Sequence, residues 1–213
     1  LDLKGKTAVV TGASYGLGFA CAQALAQEGV DVVICSRDKQ KITAAADSIK
    51  ASTKAKVLGV KADLTSKDDL HNLVSEAQSF LGHIDILVVS TGHPPTLPFT
   101  QATDEHWQVG NDMVLLPPIV LSRLVLPGMQ AQKYGRIIYI GSIFGLEAEK
   151  TSVVQSTLRT GLNALSKCIA SEVAGDGVTA NVICPGYFDT PLVRELAQQY
   201  ATAEHVSVDD VLS

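Results

Sequence analysis

The chain has 213 residues, 46% of them hydrophobic and 18% charged, which is the composition of a globular domain with a sizeable core and excludes a disordered or fibrous chain. Its net charge of −5, without any basic block, argues against a nucleic-acid partner. No apolar run approaches the roughly 18 residues of a membrane-spanning helix, and Leu1–Lys6 has none of the features of a signal peptide, so we expect a cytoplasmic protein without a membrane partner.

Six short apolar runs are predicted to be β-strands. In chain order they are Thr7–Val10, Val32–Cys35, Lys56–Val60, Ile86–Val89, Gly135–Ile140 and Thr179–Ile183. Because these runs are apolar rather than alternating, they are typical of strands that are covered by helices on both faces.

Helical segments are predicted between the strands. They run over about Gly18–Gln27, Lys39–Lys50, Asp68–Phe80, Asp104–Gln132 and Ser152–Ala174, with a kink or break expected at Pro117-Pro118. The alternation of strand and helix predicts an α/β protein over residues 1–213, a single Rossmann-type, doubly wound parallel sheet with helices on both faces.

The four cysteines are Cys21, Cys35, Cys168 and Cys184. They form no CxxC pair, and each lies in an apolar element. We therefore expect buried, reduced thiols rather than a metal site or a disulfide.

A glycine-rich turn follows the first strand at once and opens the first helix. It reads Thr11-Gly12-Ala13-Ser14-Tyr15-Gly16-Leu17-Gly18. Glycine lets the backbone approach a pyrophosphate closely, and the helix N-terminus offers free N–H groups and a partial positive charge. This turn predicts a site for a nicotinamide dinucleotide, with contacts from Gly12, Ser14, Tyr15, Gly16, Leu17 and Gly18.

The end of the second strand indicates which dinucleotide binds. An acidic residue there would hydrogen-bond the ribose 2′-hydroxyl of NAD, but this chain has Ser36 and then Arg37. Arginine presents a fork of donors suited to a 2′-phosphate, so we expect NADP(H) in preference to NAD(H). The alternative is an Arg37 that is solvated and paired with Asp38.

From Leu3 to about Pro191 the chain resembles the short-chain dehydrogenase/reductase family, and within it the 3-oxoacyl-acyl-carrier-protein reductases. The segments that carry the resemblance are Thr11–Gly18, Ala62–Thr65, Ser90–Gly92, Gly141–Ser142 and Cys184–Tyr187.

The resemblance implies roles for the matching residues. Further cofactor contacts are implied at Asp63 and Leu64 on the adenine side, at Ser90, Thr91 and Gly92 after the fourth strand, and at Pro185, Gly186 and Thr190 beside the nicotinamide. Ser142 matches the catalytic serine of the family.

Three positions of the family's catalytic tetrad are changed. The Tyr-x-x-x-Lys pair falls on Gln155 and Arg159, and the helix asparagine falls on Val114. Asn111 is nearby but three residues out of register. A glutamine amide is no general acid near neutral pH, although it can donate a hydrogen bond to an oxyanion.

Two functions remain open. The first is an NADP(H)-dependent oxidoreductase acting on a carbonyl or alcohol, in which Ser142 and Gln155 hold the carbonyl oxygen and Arg159 fixes the ribose. Its proton would come from water, Tyr187 or His93. The alternative is a non-catalytic NADP(H)-binding sensor or scaffold.

The family resemblance also implies features outside the catalytic residues. We expect a homodimer or homotetramer formed by the long helices, a substrate lid over 191–213, and a further strand after Ser213 that is missing here or disordered. The predicted substrate pocket is apolar and is lined by Ile143, Phe144, Leu146, Val153 and Tyr187. It indicates a small-molecule substrate with an apolar body.

Overall fold

The computed structural model describes residues 2–204 and 206–212. These residues form a six-stranded sheet in the order β3-β2-β1-β4-β5-β6, and every neighbouring pair of strands is parallel. The strands are β1 Thr7–Val10, β2 Asp31–Ser36, β3 Val57–Lys61, β4 Ile86–Val89, β5 Gly135–Ile140 and β6 Val178–Ile183. The predicted fold, a doubly wound parallel sheet of the Rossmann type, is confirmed.

Eight helices are found in the described residues. They are α1 Gly16–Gln27, α2 Lys39–Ser52, α3 Lys67–Leu81, α4 Asp104–Val114, α5 Leu116–Ala131, α6 Val153–Glu172, α7 Pro191–Glu204 and α8 Val208–Leu212. The predicted start of α1 at Gly18 was wrong, because the helix already begins at Gly16, within the glycine-rich turn.

Short polar side chains begin three of these helices. The carboxylate of Asp38 accepts from Lys41 N at the start of α2, and Ser66 Oγ accepts from Asp69 N at the start of α3. Thr103 begins α4 in a capping box with His106. Each cap satisfies a backbone donor that the helix itself leaves unpaired.

Two apolar layers enclose the sheet. Val9, Leu87 and Ile137 lie in register across β1, β4 and β5 and face the layer formed by α3, α5 and α6. Ala8 and Val10 belong to the opposite layer, where they pack with α1 and α2. This two-sided burial explains why the strands are apolar throughout.

The expected break in the long helix after β4 is present, at Leu115 between α4 and α5. Pro117 and Pro118 lie in the first turn of α5, where their missing N–H groups cost no helical hydrogen bond. The prolines therefore start the second helix rather than bend a continuous one.

The stretch Asp104–Ala131 meets the length and composition of a membrane-crossing helix, with a mean hydropathy of 1.5 over the apolar window. It corresponds to the α4–α5 pair, and α5 buries Val120, Leu121 and Val125 in the core. A core helix of a globular domain meets the same criterion, so its composition is explained by packing against the sheet.

The expectation of four buried cysteines is met in full only by Cys35. Cys35 is fully buried in β2 and Cys21 and Cys184 are half-buried, but Cys168 lies on the exposed side of α6. An apolar helix segment still has a solvent-facing side, and Cys168 falls on it. All four thiols are free.

Candidate active site at the carboxyl ends of the strands

The predicted site residues follow the carboxyl ends of the strands. The strand order reverses at β1, which lies between β2 and β4. In open α/β sheets the crevice at this reversal point is where ligands bind. The glycine-rich turn after β1 and the loop after β4 border this crevice.

Close backbone contacts require glycine in the turn after β1. Gly12 has a φ of +58°, and a Cβ there would lie 2.6 Å from the carbonyl oxygen of Ser90. At Gly18 a Cβ would lie 2.4 Å from the carbonyl oxygen of Gly12. Thr11 Oγ1 donates to Ser90 O at 2.8 Å and accepts from Ser90 N at 3.0 Å, so the turn is fixed to the end of β4.

The backbone N–H groups at the N-terminus of α1 have no side-chain cap. Its N-cap residue, Tyr15, makes no side-chain capping bond and is 53% exposed, and the first turn contains no acidic residue. Ala13 N is committed to Cys35 O at 3.0 Å, which pins the turn to β2. The uncapped helix N-terminus next to Ser14 and Gly16 therefore fits an anionic group such as a pyrophosphate.

The end of β2 presents positive charge to solvent. Arg37 is exposed and makes no ion pair within residues 2–204 and 206–212. Asp38, its expected alternative partner, caps α2 by accepting from Lys41 N at 3.0 Å. Lys61, the partner of Ser36 in the β2–β3 register, adds a second exposed cation.

Asp63 and Leu64 follow β3 at the same edge and are half-buried. One oxygen of the Asp63 carboxylate, Oδ1, accepts from Thr65 N at 2.9 Å and from Thr65 Oγ1 at 2.8 Å. The backbone N–H of Asp63 donates to Asp69 Oδ2 at 2.8 Å. These bonds orient the carboxylate beside the β2 end, on the side where the resemblance implies the adenine.

The loop after β4 carries Ser90, Thr91, Gly92 and His93. Thr91 Oγ1 is buried without a hydrogen-bond partner in the described structure. The ring of His93 contacts Gln155, with 3.0 Å from Gln155 Nε2 to Nδ1 and 3.2 Å to Nε2. The loop therefore brings an imidazole to Gln155, one of the predicted site residues.

Ser142 follows β5 and begins the short 3-10 turn Ile143–Gly145, where its Oγ accepts from Phe144 N at 3.2 Å. The turn packs tightly on α6, since a Cβ at Gly145 would lie 3.0 Å from the backbone of Arg159. Ser142 thus caps a turn that packs directly on α6.

Gln155 and Arg159 lie one turn apart on α6 and are 5% and 6% exposed. Arg159 Nη1 donates to Ile140 O at 2.8 Å, and Nη2 donates to Gly92 O at 3.2 Å. The guanidinium thereby joins the ends of β4 and β5, while its Nε has no partner in the described structure. Burial lowers the pKa of Arg159 to about 10, which leaves the group charged at neutral pH.

Val114 offers no polar function. It is fully buried at the end of α4 in an apolar cluster with Leu97, Val154 and Leu158. Asn111, the nearest asparagine, lies one turn earlier, and its Nδ2 donates to Asp112 Oδ1 at 3.3 Å.

The loop after β6 closes the site. Ile143 N donates to Pro185 O at 2.9 Å, so the loops after β5 and β6 are joined. Gly186 is exposed, and Thr190 Oγ1 accepts from Val193 N at 3.3 Å at the start of α7. A Cβ at Gly16 would lie 3.9 Å from Thr190 Cγ2, which places this loop against the glycine-rich turn.

Two buried polar atoms without hydrogen-bond partners bear on whether a dinucleotide fits this site. Thr91 Oγ1 and Arg159 Nε are the buried side-chain polar atoms without a partner among the described residues. Thr91 follows β4, and the guanidinium of Arg159 bonds to carbonyls at the end of β5 and after β4, whereas buried polar atoms ordinarily have a partner. A polar ligand spanning this edge, from the α1 N-terminus to Arg159, therefore fits the residues present.

The role of Lys61 cannot be recognised in the sequence, because its position beside Ser36 depends on the pairing of β2 with β3. His93 can be recognised there only as one of several proton sources, because its contact with Gln155 spans 62 positions of the chain. Its place two residues after the predicted contact Thr91 was the available indication.

Comparisons with known proteins agree with this geometry. A family model described as short chain dehydrogenase matches residues 6–201. An uncharacterized oxidoreductase of Staphylococcus saprophyticus is 35% identical over 192 residues, covering 90% of this chain and 82% of that protein. The 3-oxoacyl-[acyl-carrier-protein] reductase of Escherichia coli is 32% identical over 200 residues, covering 92% of this chain and 79% of that protein.

A solved structure extends the comparison to the fold. L-sorbose reductase from Gluconobacter frateurii, complexed with NADPH and L-sorbose, matches with a TM-score of 0.94 and 30% identity. The match covers 100% of this chain and 81% of that one. The chain therefore belongs to the short-chain dehydrogenase/reductase family of oxidoreductases.

Proposed function

We propose that this protein is an NADP(H)-dependent oxidoreductase that interconverts a carbonyl and an alcohol with an altered catalytic tetrad. The observation that carries the proposal is the uncapped N-terminus of α1 behind a turn whose Gly12 and Gly18 leave no room for side chains. The similar L-sorbose reductase was solved with NADPH, which supports a nicotinamide cofactor here.

The preference for NADP(H) over NAD(H) is supported by charge. The exposed cations Arg37 and Lys61 lie at the adjacent ends of β2 and β3, next to the hydroxyl of Ser36. No acidic side chain of the described residues pairs with Arg37, so its guanidinium is available to a 2′-phosphate.

The chain's own residues have distinct roles toward the substrate. Ser142 and the amide of Gln155 would hold the carbonyl oxygen, and Arg159 would fix the ribose of the cofactor. A dinucleotide bound there would supply the hydride to the carbonyl carbon in reduction and accept it in oxidation. The preorganised donors stabilise negative charge on the oxygen, which is where charge develops in the reaction.

The substrate is a small carbonyl or alcohol compound with an apolar part. Tyr187 is 81% exposed and stacks edge-on against Phe144, with 6.4 Å between ring centroids. Leu146 is also exposed on this side of the site. Apolar groups that stay exposed around a polar centre are typical of a substrate pocket.

A second candidate function is dinucleotide binding without turnover, as in a sensor or scaffold. It is favoured by one observation: the functional groups of Gln155 and Arg159 are already engaged with His93, Ile140 and Gly92. A site committed to internal hydrogen bonds can bind a cofactor and leave it unused.

Three further features complete the proposal. The helical segment 191–204 and residues 206–212 form a lid over the substrate, and residues 205 and 213 of the expected lid lie outside the described residues. The long helices α4, α5 and α6 form the contacts of a homodimer or homotetramer. The protein acts in the cytoplasm.

The test combines binding and turnover. Calorimetry with NADPH and NADH should show binding, tighter for NADPH, and a panel of carbonyl compounds should give NADPH oxidation above background. The Gly12→Val variant is the matched control, since it should neither bind nor turn over. Binding without turnover would support the sensor, and failure to bind either dinucleotide would refute both functions.

A further inference from the structure

His93 is held against α6 at the centre of the candidate site. Its ring lies 3.0 Å from Gln155 Nε2, and its Nδ1 lies 3.2 Å from the carbonyl oxygen of Pro94. Val153 N donates to Leu97 O at 3.3 Å, so the whole loop after β4 is fastened to the start of α6. The imidazole therefore has a fixed position rather than that of a free surface side chain.

That position is directly next to Gln155, the residue at the family's expected tyrosine position. Gln155 stands where the family has tyrosine, and its amide points at the His93 ring. A tyrosine reaches farther from α6 than a glutamine does. Because the ring begins 3.0 Å beyond the amide, it occupies the space into which a tyrosine at 155 would extend.

Resting on the function proposed above, we propose that His93 is the acid–base residue of this enzyme and that Gln155 positions it. In reduction, the carbon–oxygen π pair moves to oxygen as the hydride arrives at carbon. With Nδ1–H donating to Pro94 O, the Nε2–H bond of the imidazolium then breaks and its proton forms the O–H bond of the alcohol. The neutral ring that results accepts the Gln155 amide N–H at Nε2. In alcohol oxidation the neutral ring accepts the same proton. Imidazole is the commonest group for such transfers.

The surroundings set the charge of this ring. Burial lowers the pKa of His93 below its ordinary value, and the positive charge of Arg159 lowers it further. Arg159 is the charged group that faces His93 from α6, while Thr96 and Pro94 of its own loop are neutral. Cys184, at the end of β6, affects the pKa of Arg159 and is not among the groups that shift the pKa of His93.

This charge balance has a kinetic consequence. The neutral ring is the form present at neutral pH and is ready to act as a base on an alcohol. The acid form increases as the pH falls toward the lowered pKa. Reduction should therefore accelerate as the pH falls toward that value, and oxidation should accelerate as the pH rises through it.

The experiment compares wild type, His93→Asn and the control His71→Asn, which changes an exposed histidine on α3. We expect His93→Asn to lower kcat about 100-fold or more, the usual contribution of general acid–base catalysis. Its NADPH affinity should stay within about twofold of wild type, and the inflection in the pH–rate profile should vanish. His71→Asn should match wild type in all three measurements.

An NMR titration of the cofactor-free protein gives a readout that does not depend on turnover. The His93 ring should titrate below pH 6.5, and Arg159→Met should raise that value. A His93 titration that Arg159→Met leaves unchanged would show that the ring does not lie beside Arg159 in the candidate site, and would overturn the proposal.

The results distinguish the role of His93 from the oxidoreductase function itself. An active His93→Asn variant with an unchanged pH profile would overturn the role of His93 and leave the oxidoreductase proposal standing. A wild-type protein that binds NADPH but turns over no carbonyl or alcohol would overturn both.

Discussion

Arg159 Nη1 donates a hydrogen bond of 2.8 Å to the carbonyl oxygen of Ile140, which ties the middle of α6 to the last residue of β5. The same guanidinium reaches Gly92 after β4, and no carboxylate of the described residues pairs with it. Burying a cation that is held only by backbone carbonyls carries a large desolvation penalty. The stability of the fold therefore depends on Arg159 keeping both hydrogen bonds.

Replacing Arg159 should therefore separate charge from geometry. In Arg159→Lys the ammonium keeps the buried charge but cannot span two carbonyls on different loops, so we expect a loss of about 1–3 kcal/mol in the free energy of unfolding. Arg159→Met removes the charge together with the donors and should lie between lysine and wild type. Urea unfolding followed by circular dichroism measures the order, with Arg123→Lys on the exposed side of α5 as the control. A lysine variant as stable as wild type would show that one carbonyl contact suffices.

Gly12→Ala should abolish dinucleotide binding. The added Cβ would lie 2.6 Å from Ser90 O, and the left-handed backbone at φ +58° costs a non-glycine residue roughly 1–2 kcal/mol. Gly128→Ala is the matched control, because a Cβ there meets nothing within 4 Å and alanine favours the helix. Fluorescence titration with NADPH and thermal unfolding check both variants. Wild-type binding by Gly12→Ala would contradict the assigned position of the pyrophosphate.

Arg37→Ser should weaken NADPH binding about 10–100-fold and leave NADH binding nearly unchanged, because only NADPH carries the 2′-phosphate that a charge-assisted bond would hold. Lys61→Ser should act in the same direction with a smaller effect, since lysine is a single-point donor. Lys50→Ser is the control, as Lys50 pairs with Asp47 on α2. Equal losses for the two dinucleotides would refute the assigned role of Arg37.

The fold was predictable from sequence, and the contacts at the candidate site only in part. Local patterns predict the continuous apolar strands, such as Ile86–Val89, and the glycine-rich turn around Gly12. Their order along the chain then predicts where they lie in the sheet. The contact of His93 with Gln155 depends on how the loop after β4 packs on α6. The proximity of Lys61 to Ser36 depends on strand register. Such long-range relationships have no local pattern in the sequence.

The four thiols should differ widely in reactivity. Burial raises the pKa of Cys35 to about 12, so its thiolate is scarce and shielded, and burial also raises the pKa of Cys21. The exposed Cys168 should react first with an alkylating reagent, while Cys35 should react only after unfolding. Timed alkylation followed by peptide mass spectrometry gives the order. A fast phase that persists in Cys168→Ser would contradict it.

Restoring the family's tyrosine should require removing His93. In the double variant Gln155→Tyr/Arg159→Lys, the tyrosine ring must enter space that the imidazole fills, because His93 lies 3.0 Å from the present amide. The triple variant with His93→Ala frees that space, and the new lysine can lower the pKa of the tyrosine hydroxyl. We expect the triple variant to reduce carbonyls at least about tenfold faster than the double variant, within the range that a positioned acid contributes.

The pH–rate profile identifies which group transfers the proton in each variant. Rates of the triple variant should follow the tyrosine, with an inflection well above that of wild type, whose inflection follows the lowered pKa of His93. Measuring the NADPH affinity of each variant shows whether the substitutions have damaged the cofactor site. If the double variant is as active as the triple one, tyrosine and histidine fit together, and the imidazole does not occupy the place of the tyrosine hydroxyl.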